Sequence, residues 1–209
     1  MSTRIRNTAA TMRKRPMQAR SRATVEAIVE AATHILGRSG WAKFTTNEVA
    51  EAAGASIGSL YQYFPNKLSL IEAIRRSHFD AVIGVLEGAC EAPLESDVDF
   101  LVDGMLHVHS SNPSLHKALL EEAPRVLKGT NAHDAFEKKY LRCYRAFIAK
   151  HRKAQQDVSN EVVARVLSAA VEGAVHYAAV SGLIRSPLVK REIVVMVRSY
   201  LNHGVNGRP

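Results

Sequence analysis

Apolar residues recur along most of the chain at the three- and four-residue spacings of amphipathic α-helices. The first stripe begins at about Gln18 and consists of Val25, Ile28, Val29, Ala32, Ile35 and Leu36. Prolines and glycines separate later helical patterns, which cover about 67–90, 97–110, 114–122, 131–152, 158–182 and 188–203. Because no segment sustains the period-two alternation of a half-buried strand, the pattern predicts an all-α fold.

The first helix is expected to end at Gly40, a residue type that commonly stops helices. Thr45 and Glu48 follow at the spacing of a capping box. In that motif the Thr hydroxyl accepts a hydrogen bond from the N–H three residues on, and the Glu reaches back to the N–H of the cap. We therefore expect a helix over about Thr46–Ala53 and a turn at Gly54.

A second short helix is predicted directly after that turn. Ser56 is placed to cap a helix over Ile57–Tyr63, which the Phe64–Pro65 pair closes. Asn66 then caps a long helix that begins at Lys67. Two short helices joined by a turn of three or four residues that contains Gly are typical of a helix-turn-helix.

The same segment also matches the G-x-S-x-G pattern of a hydrolase nucleophile elbow, through Gly54, Ser56 and Gly58. An elbow needs a buried strand ahead of the serine, whereas residues 47–53 are rich in Ala and Glu, which favour helix. We therefore favour the helix-turn-helix and expect no enzyme. Two alternatives stay open: an esterase that uses Ser56, and a plain helical hairpin whose tyrosines pack in the core.

Positive charge is concentrated in the first third of the chain. The whole chain has 28 Lys and Arg against 20 Asp and Glu, a net charge of +8. Residues 1–76 hold 12 of the basic residues and 5 of the acidic ones. Residues 1–17 are basic and lack an apolar stretch, so we expect a flexible arm rather than a signal peptide. The asymmetry favours a nucleic-acid-binding module at the N-terminus, with a solubilising basic tail as the alternative.

A dense set of features lies in the ungapped block GWAKFTTNEVAEAAGASIGSLYQYFPNKLSLIEAI, which runs from Gly40 to Ile74. They are Gly40 followed by an aromatic residue, Thr45, Val49-Ala50, Ala53-Gly54, Gly58-Ser59-Leu60-Tyr61, Phe64 and Asn66-Lys67. The block resembles the DNA-binding domain of the TetR family of transcriptional regulators, over about 55 residues counted from Ala19. It departs from the family pattern at Ala55 and Ile57, where some members have Val and a basic or polar residue. We expect Ile57 to make an apolar contact, such as one with a thymine methyl group.

The resemblance implies a helix-turn-helix domain over 18–66 and a body over 67–209 that binds an effector and dimerises. It implies a homodimeric repressor on a near-palindromic DNA operator, with half-sites about 34–36 Å apart or a multiple of that, and release by a small molecule. A DNA-binding protein without an effector is the alternative. The residues that the resemblance places towards DNA are Thr45, Thr46, Ser56, Ile57, Gly58, Ser59, Tyr61, Tyr63 and Lys67.

The body offers a dimerisation surface and candidate effector contacts. The patterns over 158–182 and 188–203 are apolar around much of their circumference, so we expect the homodimer to form through them as a four-helix bundle. Packing inside the chain's own core is the alternative. A hydrophobic or aromatic effector would suit a cavity lined by Phe79, Phe100, Met105, His109, Tyr144, His176 and Tyr177.

The sequence gives little indication of a disulfide, a metal site or a membrane span. Cys90 and Cys143 lack a C-x-x-C motif, so we expect reduced core thiols and a cytoplasmic protein. His107, His109 and His116 do not share a helix face at ligand spacing, so we expect no metal site and no cofactor. No apolar run reaches the roughly 18 residues of a membrane span.

Overall fold

The computed structural model describes residues 12, 19–110, 115, 131–152 and 160–206. Within these residues all regular structure is helical, which confirms the predicted all-α fold with a three-helix N-terminal part. The predicted arm over 1–17 and the predicted helix over 114–122 lie outside this part of the chain, apart from residues 12 and 115. The helices are α1 (Ala19–Lys43), α2 (Thr46–Ala52), α3 (Ile57–Tyr63), α4 (Lys67–Glu91), α5 (Asp97–Ser110), α6 (Asn131–His151), α7 (Asn160–Val180) and α8 (Pro187–Asn206).

The described residues form two compact units, and the division between them falls inside α4. The first unit contains residues 12 and 19–77, and the second contains residues 78–110, 115, 131–152 and 160–206.

The core of the first unit is built from the apolar stripe of α1 and from the short helices. The stripe residues Val25, Ile28, Ala32, Ile35 and Leu36 are buried, whereas Val29 is half-buried. The chain turns at Gly40, where φ is 69° and ψ is 174°, a conformation that is essentially restricted to glycine. The first helical segment therefore stops at Gly40, as predicted, and the turn over 41–43 is a second short segment that follows this break within α1. Later residues that complete this core are Phe44, Val49, Ala50, Leu60, Phe64, Leu70, Ile71 and Ile74.

The second unit packs residues of α4 to α8 around a continuous apolar core. Helix α5 approaches α4 closely at Gly104, where an added Cβ would lie 2.5 Å from Cγ1 of Val85. Ion pairs on the surface join α5 to α8: Lys190 Nζ lies 2.7 Å from Asp103, and Arg198 is paired with Asp99. The second unit is thus held by apolar burial with polar contacts at its edges.

Helix α7 has two apolar faces. Eight of its residues are buried in the core, among them Val163, Leu167 and Ala178. In the described part of the chain it is the one helix long and apolar enough to cross a membrane by length and composition. The buried residues account for part of this apolar character. The rest lies on an exposed face, which we call the α7 outer stripe, and it consists of Val162, Val166, Ala169, Gly173, Tyr177 and Val180.

The two segments expected to form the dimer interface, 158–182 and 188–203, therefore contain core residues as well as exposed apolar residues. Val163, Leu167 and Ala178 of α7 belong to the chain's own core, as do Ile193, Val197 and Leu201 of α8. On α8, the exposed apolar side chains are Leu188 and Val195.

Candidate functional site

Helix α2 begins at the predicted cap, but only half of the predicted capping box forms. The Thr45 hydroxyl accepts a hydrogen bond from the N–H of Glu48 at 3.3 Å. The Glu48 carboxylate does not return to the cap; it is paired with the guanidinium of Arg38 at 2.6 Å. A full opposite charge attracts the carboxylate more strongly than a neutral N–H does, and this pair ties α1 to α2.

The turn between α2 and α3 is closed by backbone hydrogen bonds around Gly54. The N–H of Gly54 donates to the carbonyl of Glu51 at 3.1 Å, and the N–H of Ala55 donates to the carbonyl of Ala50 at 2.9 Å. This is a Schellman motif, and Gly54 has the φ of +61° that the motif requires. A helix therefore precedes Ser56, so the segment lacks the strand that a nucleophile elbow needs.

Ser56 caps α3, as predicted. Its Oγ accepts from the N–H of Ser59 at 3.0 Å and lies 2.8 Å from the Oγ of Ser59. Leu60 is fully buried and holds the inner face of α3 against the core, while Ile57 and Tyr61 are 40% and 43% exposed on the outer face. The Ser56 hydroxyl therefore stabilises the start of α3, and the N-terminal turn of α3 is exposed to solvent.

The predicted DNA-facing residues all lie in the first unit, and they differ in exposure. Those exposed are Thr45, Ser56, Ile57, Gly58 and Tyr61, and those half-buried are Thr46, Ser59, Tyr63 and Lys67.

Two observations add to this surface. The hydroxyls of Thr46 and Tyr61 lie 3.0 Å apart, so the phenol of α3 is held by the first residue of α2. Gln62 is exposed as well. Its position one turn after Gly58 would have revealed it as a candidate, because residues four apart share a helix face.

The ammonium of Lys67 is engaged within the unit. It donates to the carbonyl of Trp41 at 2.7 Å and lies 3.8 Å from the centroid of the Trp41 ring. Burial lowers the pKa of this lysine below its ordinary value. Lys67 therefore links the start of α4 to the end of α1, besides any contact that it makes with DNA.

In the second unit, ring side chains from four helices form a continuous series. Starting on α7, the ring of His176 lies 5.0 Å from that of His109 on α5, which lies 5.2 Å from that of His78 on α4. Next along α4, the Phe79 ring stacks on Phe136 of α6 at 3.8 Å. We call these rings the ring cluster, which comprises His78, Phe79, His109, Phe136, Tyr140, Tyr144 and His176.

The predicted effector residues fall partly inside this cluster. Phe79, His109, Tyr144 and His176 are members, and the carbonyl of Met105 accepts a hydrogen bond from Nδ1 of His109 at 2.7 Å. The remaining two predicted residues lie apart from the cluster. Phe100 is 48% exposed and packs beside Gly88, and Tyr177 is 71% exposed on the α7 outer stripe. Three members were missed by the sequence analysis: His78, Phe136 and Tyr140.

Burial favours the uncharged forms of the titratable members of the cluster. Burial, with smaller contributions from His109 and His176, lowers the pKa of His78 to about 4. Burial also lowers the pKa of His109 to about 4. The Met105 carbonyl fixes the protonated nitrogen of His109 as Nδ1, because a carbonyl only accepts.

Glu172 acts on the same cluster through its charge. Burial first, and then this carboxylate, raise the pKa of Tyr140. Burial lowers the pKa of His176, and Glu172 opposes that shift.

In the described part of the chain, the cysteines and histidines form no metal-binding centre. No group of three or more His, Cys, Asp or Glu side chains is arranged there to hold a metal ion. The thiol of Cys90 lies 3.7 Å from the carbonyl oxygen of Cys143, and burial raises the pKa of both thiols. His116 lies outside the described residues.

Two family profiles match the chain and together cover both units. Residues 28–74 match "Bacterial regulatory proteins, tetR family", and residues 93–201 match "Tetracyclin repressor-like, C-terminal domain". The first match contains α2, α3 and the start of α4, and the second runs from α5 to α8.

Three relatives illustrate the similarity. The chain is 35% identical over 66 residues to the uncharacterized HTH-type transcriptional regulator YvkB of Bacillus subtilis, a match that spans 32% of this chain and 35% of that protein. It is 25% identical to SmeT, the repressor of the SmeDEF multidrug efflux pump of Stenotrophomonas maltophilia, with a TM-score of 0.60 over 87% of this chain and 90% of that one. SmeT has also been solved with triclosan. LfrR of Mycobacterium smegmatis, solved with proflavine, is 19% identical over 90% of this chain and 99% of its own, with a TM-score of 0.59.

Proposed function

Because the chain belongs to the tetR family of bacterial regulatory proteins, we propose that it is a homodimeric, cytoplasmic transcriptional repressor. It binds a near-palindromic DNA operator, and a small aromatic molecule releases it. The observation that carries the DNA-binding part is the outer face of α3, which presents Ile57, Gly58 and Tyr61 while Leu60 anchors the helix from behind.

This face suits the major groove. Small residues at the start of α3 let the backbone come close to the base edges, and Ile57 offers an apolar contact for a thymine methyl group. The Tyr61 hydroxyl, held at 3.0 Å by Thr46, is placed to contact a phosphate oxygen. Excess positive charge in residues 1–76 adds a sequence-independent attraction to the backbone.

The second copy is expected to cover the α7 outer stripe together with Leu188 and Val195 of α8. Val166 and Val180 are 48% and 73% exposed in the single chain. Apolar residues in such a series are typical of an interface between subunits. A two-fold arrangement would then offer two recognition helices to two half-sites about 34–36 Å apart, or a multiple of that.

The effector is expected at the ring cluster. Stacked and tilted rings from α4, α5, α6 and α7 provide flat apolar surface with polar edges, the composition of a small-molecule site. Two proteins of similar fold bind aromatic compounds: SmeT has been solved with triclosan and LfrR with proflavine. A ligand that contacts four helices at once can shift their packing, which offers a route to release from DNA.

Repeated selection from a pool of random duplexes by the full-length protein tests the DNA-binding part. We expect enrichment of an inverted repeat, and an affinity for it that falls steeply as salt rises because phosphate contacts release counterions.

Tyr61→Ala should weaken binding about tenfold, which corresponds to about 1.4 kcal/mol, with unchanged helix content. His34→Ala, an exposed change on α1, is the matched control. Enrichment of no sequence, or unchanged binding by the Tyr61 variant, would contradict the proposal.

A further inference from the structure

One side of α3 is exposed to solvent, and the other side packs into the first unit through the buried Leu60. Successive side chains of an α-helix lie about 100° apart around its axis. The exposed residues of α3 therefore occupy a single arc of about 140°. We call this arc the α3 outer face, and it consists of Ile57, Gly58, Tyr61 and Gln62.

The hydroxyl groups at this face are bonded within the protein, whereas one amide adds further hydrogen-bonding capacity. The Oγ of Ser56 accepts from the N–H of Ser59 and lies 2.8 Å from the Ser59 Oγ. The Tyr61 hydroxyl lies 3.0 Å from the hydroxyl of Thr46. Gln62 is exposed at one edge of the face, and its amide has two donor hydrogens and an acceptor oxygen. It is therefore the polar side chain of the face best suited to bind a base edge.

Gly58 lies within the face at a position where the fold does not require a glycine. Its φ is negative, and an added Cβ would make only an ordinary contact, 3.9 Å from the Oγ of Ser56. Glycine inside a helix is less stable than alanine. What its missing side chain does provide is close approach of the α3 backbone to a partner such as the floor of the major groove.

The chemistry of the α3 outer face matches adenine and thymine. The helix sequence IGSLYQY contains no lysine or arginine, the side chains that most often bind guanine in the major groove. A glutamine matches adenine, because its amide nitrogen donates to N7 and its oxygen accepts from the N6 amino group. Ile57 matches the methyl group of thymine. Since Ile57 and Gln62 are about 7.5 Å apart along the helix axis, they reach different base pairs.

We propose that α3 reads A·T base pairs in the major groove of each operator half-site, and that Gln62 is the residue that recognises adenine. The inference rests on the proposed DNA-binding function and adds the base composition of the site. A guanine in place of the adenine presents the acceptor O6 where the glutamine oxygen needs a donor, so one of the two hydrogen bonds is lost.

The duplex selection with the full-length protein tests this base assignment. We expect an inverted repeat in which adenine is preferred about tenfold at one position of each half-site. Gln62→Ala should remove that preference and leave the other positions unchanged. Gln62→Arg should change the preference to guanine, which arginine binds through O6 and N7. Asn47→Ala removes another exposed amide, on α2, and should change no base preference.

Base analogues test the same contacts with the unaltered protein. Placing 7-deazaadenine at the selected position removes N7 and should weaken binding about fivefold, whereas Gln62→Ala should bind both duplexes equally. Replacing thymine by uracil opposite Ile57 removes the methyl group and should weaken binding about threefold, whereas Ile57→Ala should not distinguish the two bases. Dissociation constants from fluorescence anisotropy of labelled duplexes measure both effects.

The outcomes separate this inference from the function on which it rests. An adenine preference that survives Gln62→Ala, or equal affinity of the unaltered protein for adenine and 7-deazaadenine, overturns the role of Gln62 and leaves DNA binding standing. G·C pairs at the positions whose preference changes in the Gln62 and Ile57 variants overturn the A·T assignment. Enrichment of no sequence by the unaltered protein overturns the DNA-binding proposal together with this inference.

Discussion

At the scale of single residues, Lys67 is expected to serve the fold as well as DNA. Its ammonium is bonded to the Trp41 carbonyl and lies over the Trp41 ring, so it closes the first unit between its first and fourth helices. A hydrogen bond from a charged group and a cation–π contact each contribute stability, and both are lost with the ammonium. An ammonium has three donors, and the same group can still donate to a phosphate oxygen.

Lys67→Met tests both roles. The variant should lose about 1 kcal/mol of unfolding free energy, because the Trp41 contacts disappear while the aliphatic stem is kept. The slope of log affinity against log salt should also fall by about 1 if Lys67 contacts a phosphate. Chemical denaturation and salt titration of operator binding measure the two effects. Lys43→Met, a change of an exposed lysine on α1, is the control for stability, and equal unfolding free energies for the two variants would contradict the structural role.

Residue-level predictions from the sequence held where the partner is close in the chain. Thr45 and Ser56 cap their helices through the N–H three residues on, as their spacing indicated. The side chain of Glu48 was placed wrongly, because its partner Arg38 lies ten residues earlier on another helix. The spacing of nearby residues therefore predicts helix caps. It does not predict that a charged residue on another helix competes with the cap for a side chain, because that contact forms only when the helices pack.

At the scale of the helix, replacing either of two exposed glycines by alanine should change the stability of the protein in opposite directions. Gly54 has φ +61° at the end of α2, and Gly84 lies in the interior of α4. An added Cβ would meet nothing within 4 Å at either position, so the backbone conformation alone decides the effect. Gly54→Ala should destabilise the protein by about 1 kcal/mol, and Gly84→Ala should stabilise it by about 0.5–1 kcal/mol.

Thermal and denaturant unfolding of the two alanine variants check the signs. Each variant controls the other, since both add one methyl group at an exposed site. The Gly54 variant should also bind operator more weakly, because the turn that aims α3 is strained. Stabilisation by Gly54→Ala would show that the α2–α3 turn does not depend on its left-handed residue.

For α7, the sequence predicted the ends of the helix but not which of its faces is buried. The periodicity located α7 within about two residues at each end, yet α7 is apolar on two sides, so the pattern alone could not show which side is buried. Val163 and Leu167 are core residues, while their neighbours Val162 and Val166 are exposed. Packing against α5, α6 and α8 decides between the two faces, and that information is not local.

At the scale of the whole molecule, the same limit applies to the ring cluster. His109 and His176 were expected near an effector because of their chemistry, but their contact joins residues 67 positions apart on α5 and α7. His78, Phe136 and Tyr140 were missed because nothing in their local sequence distinguishes them from ordinary core residues. Assembly of four helices is what brings them together.

The α7 outer stripe carries the last prediction, which concerns assembly. Val166→Glu places a carboxylate in the middle of this stripe, where a second copy would have to desolvate it, at a cost of several kcal/mol for each unpaired charge. We therefore expect a monomer by light scattering during gel filtration, with unchanged helix content because Val166 is 48% exposed in the single chain. Ala146→Glu, an equally charged change at an exposed position of α6, should remain dimeric. Since a monomer offers one recognition helix, Val166→Glu should also lose the preference for an inverted repeat over a single half-site, whereas a dimeric variant with intact operator binding would exclude this stripe as the interface.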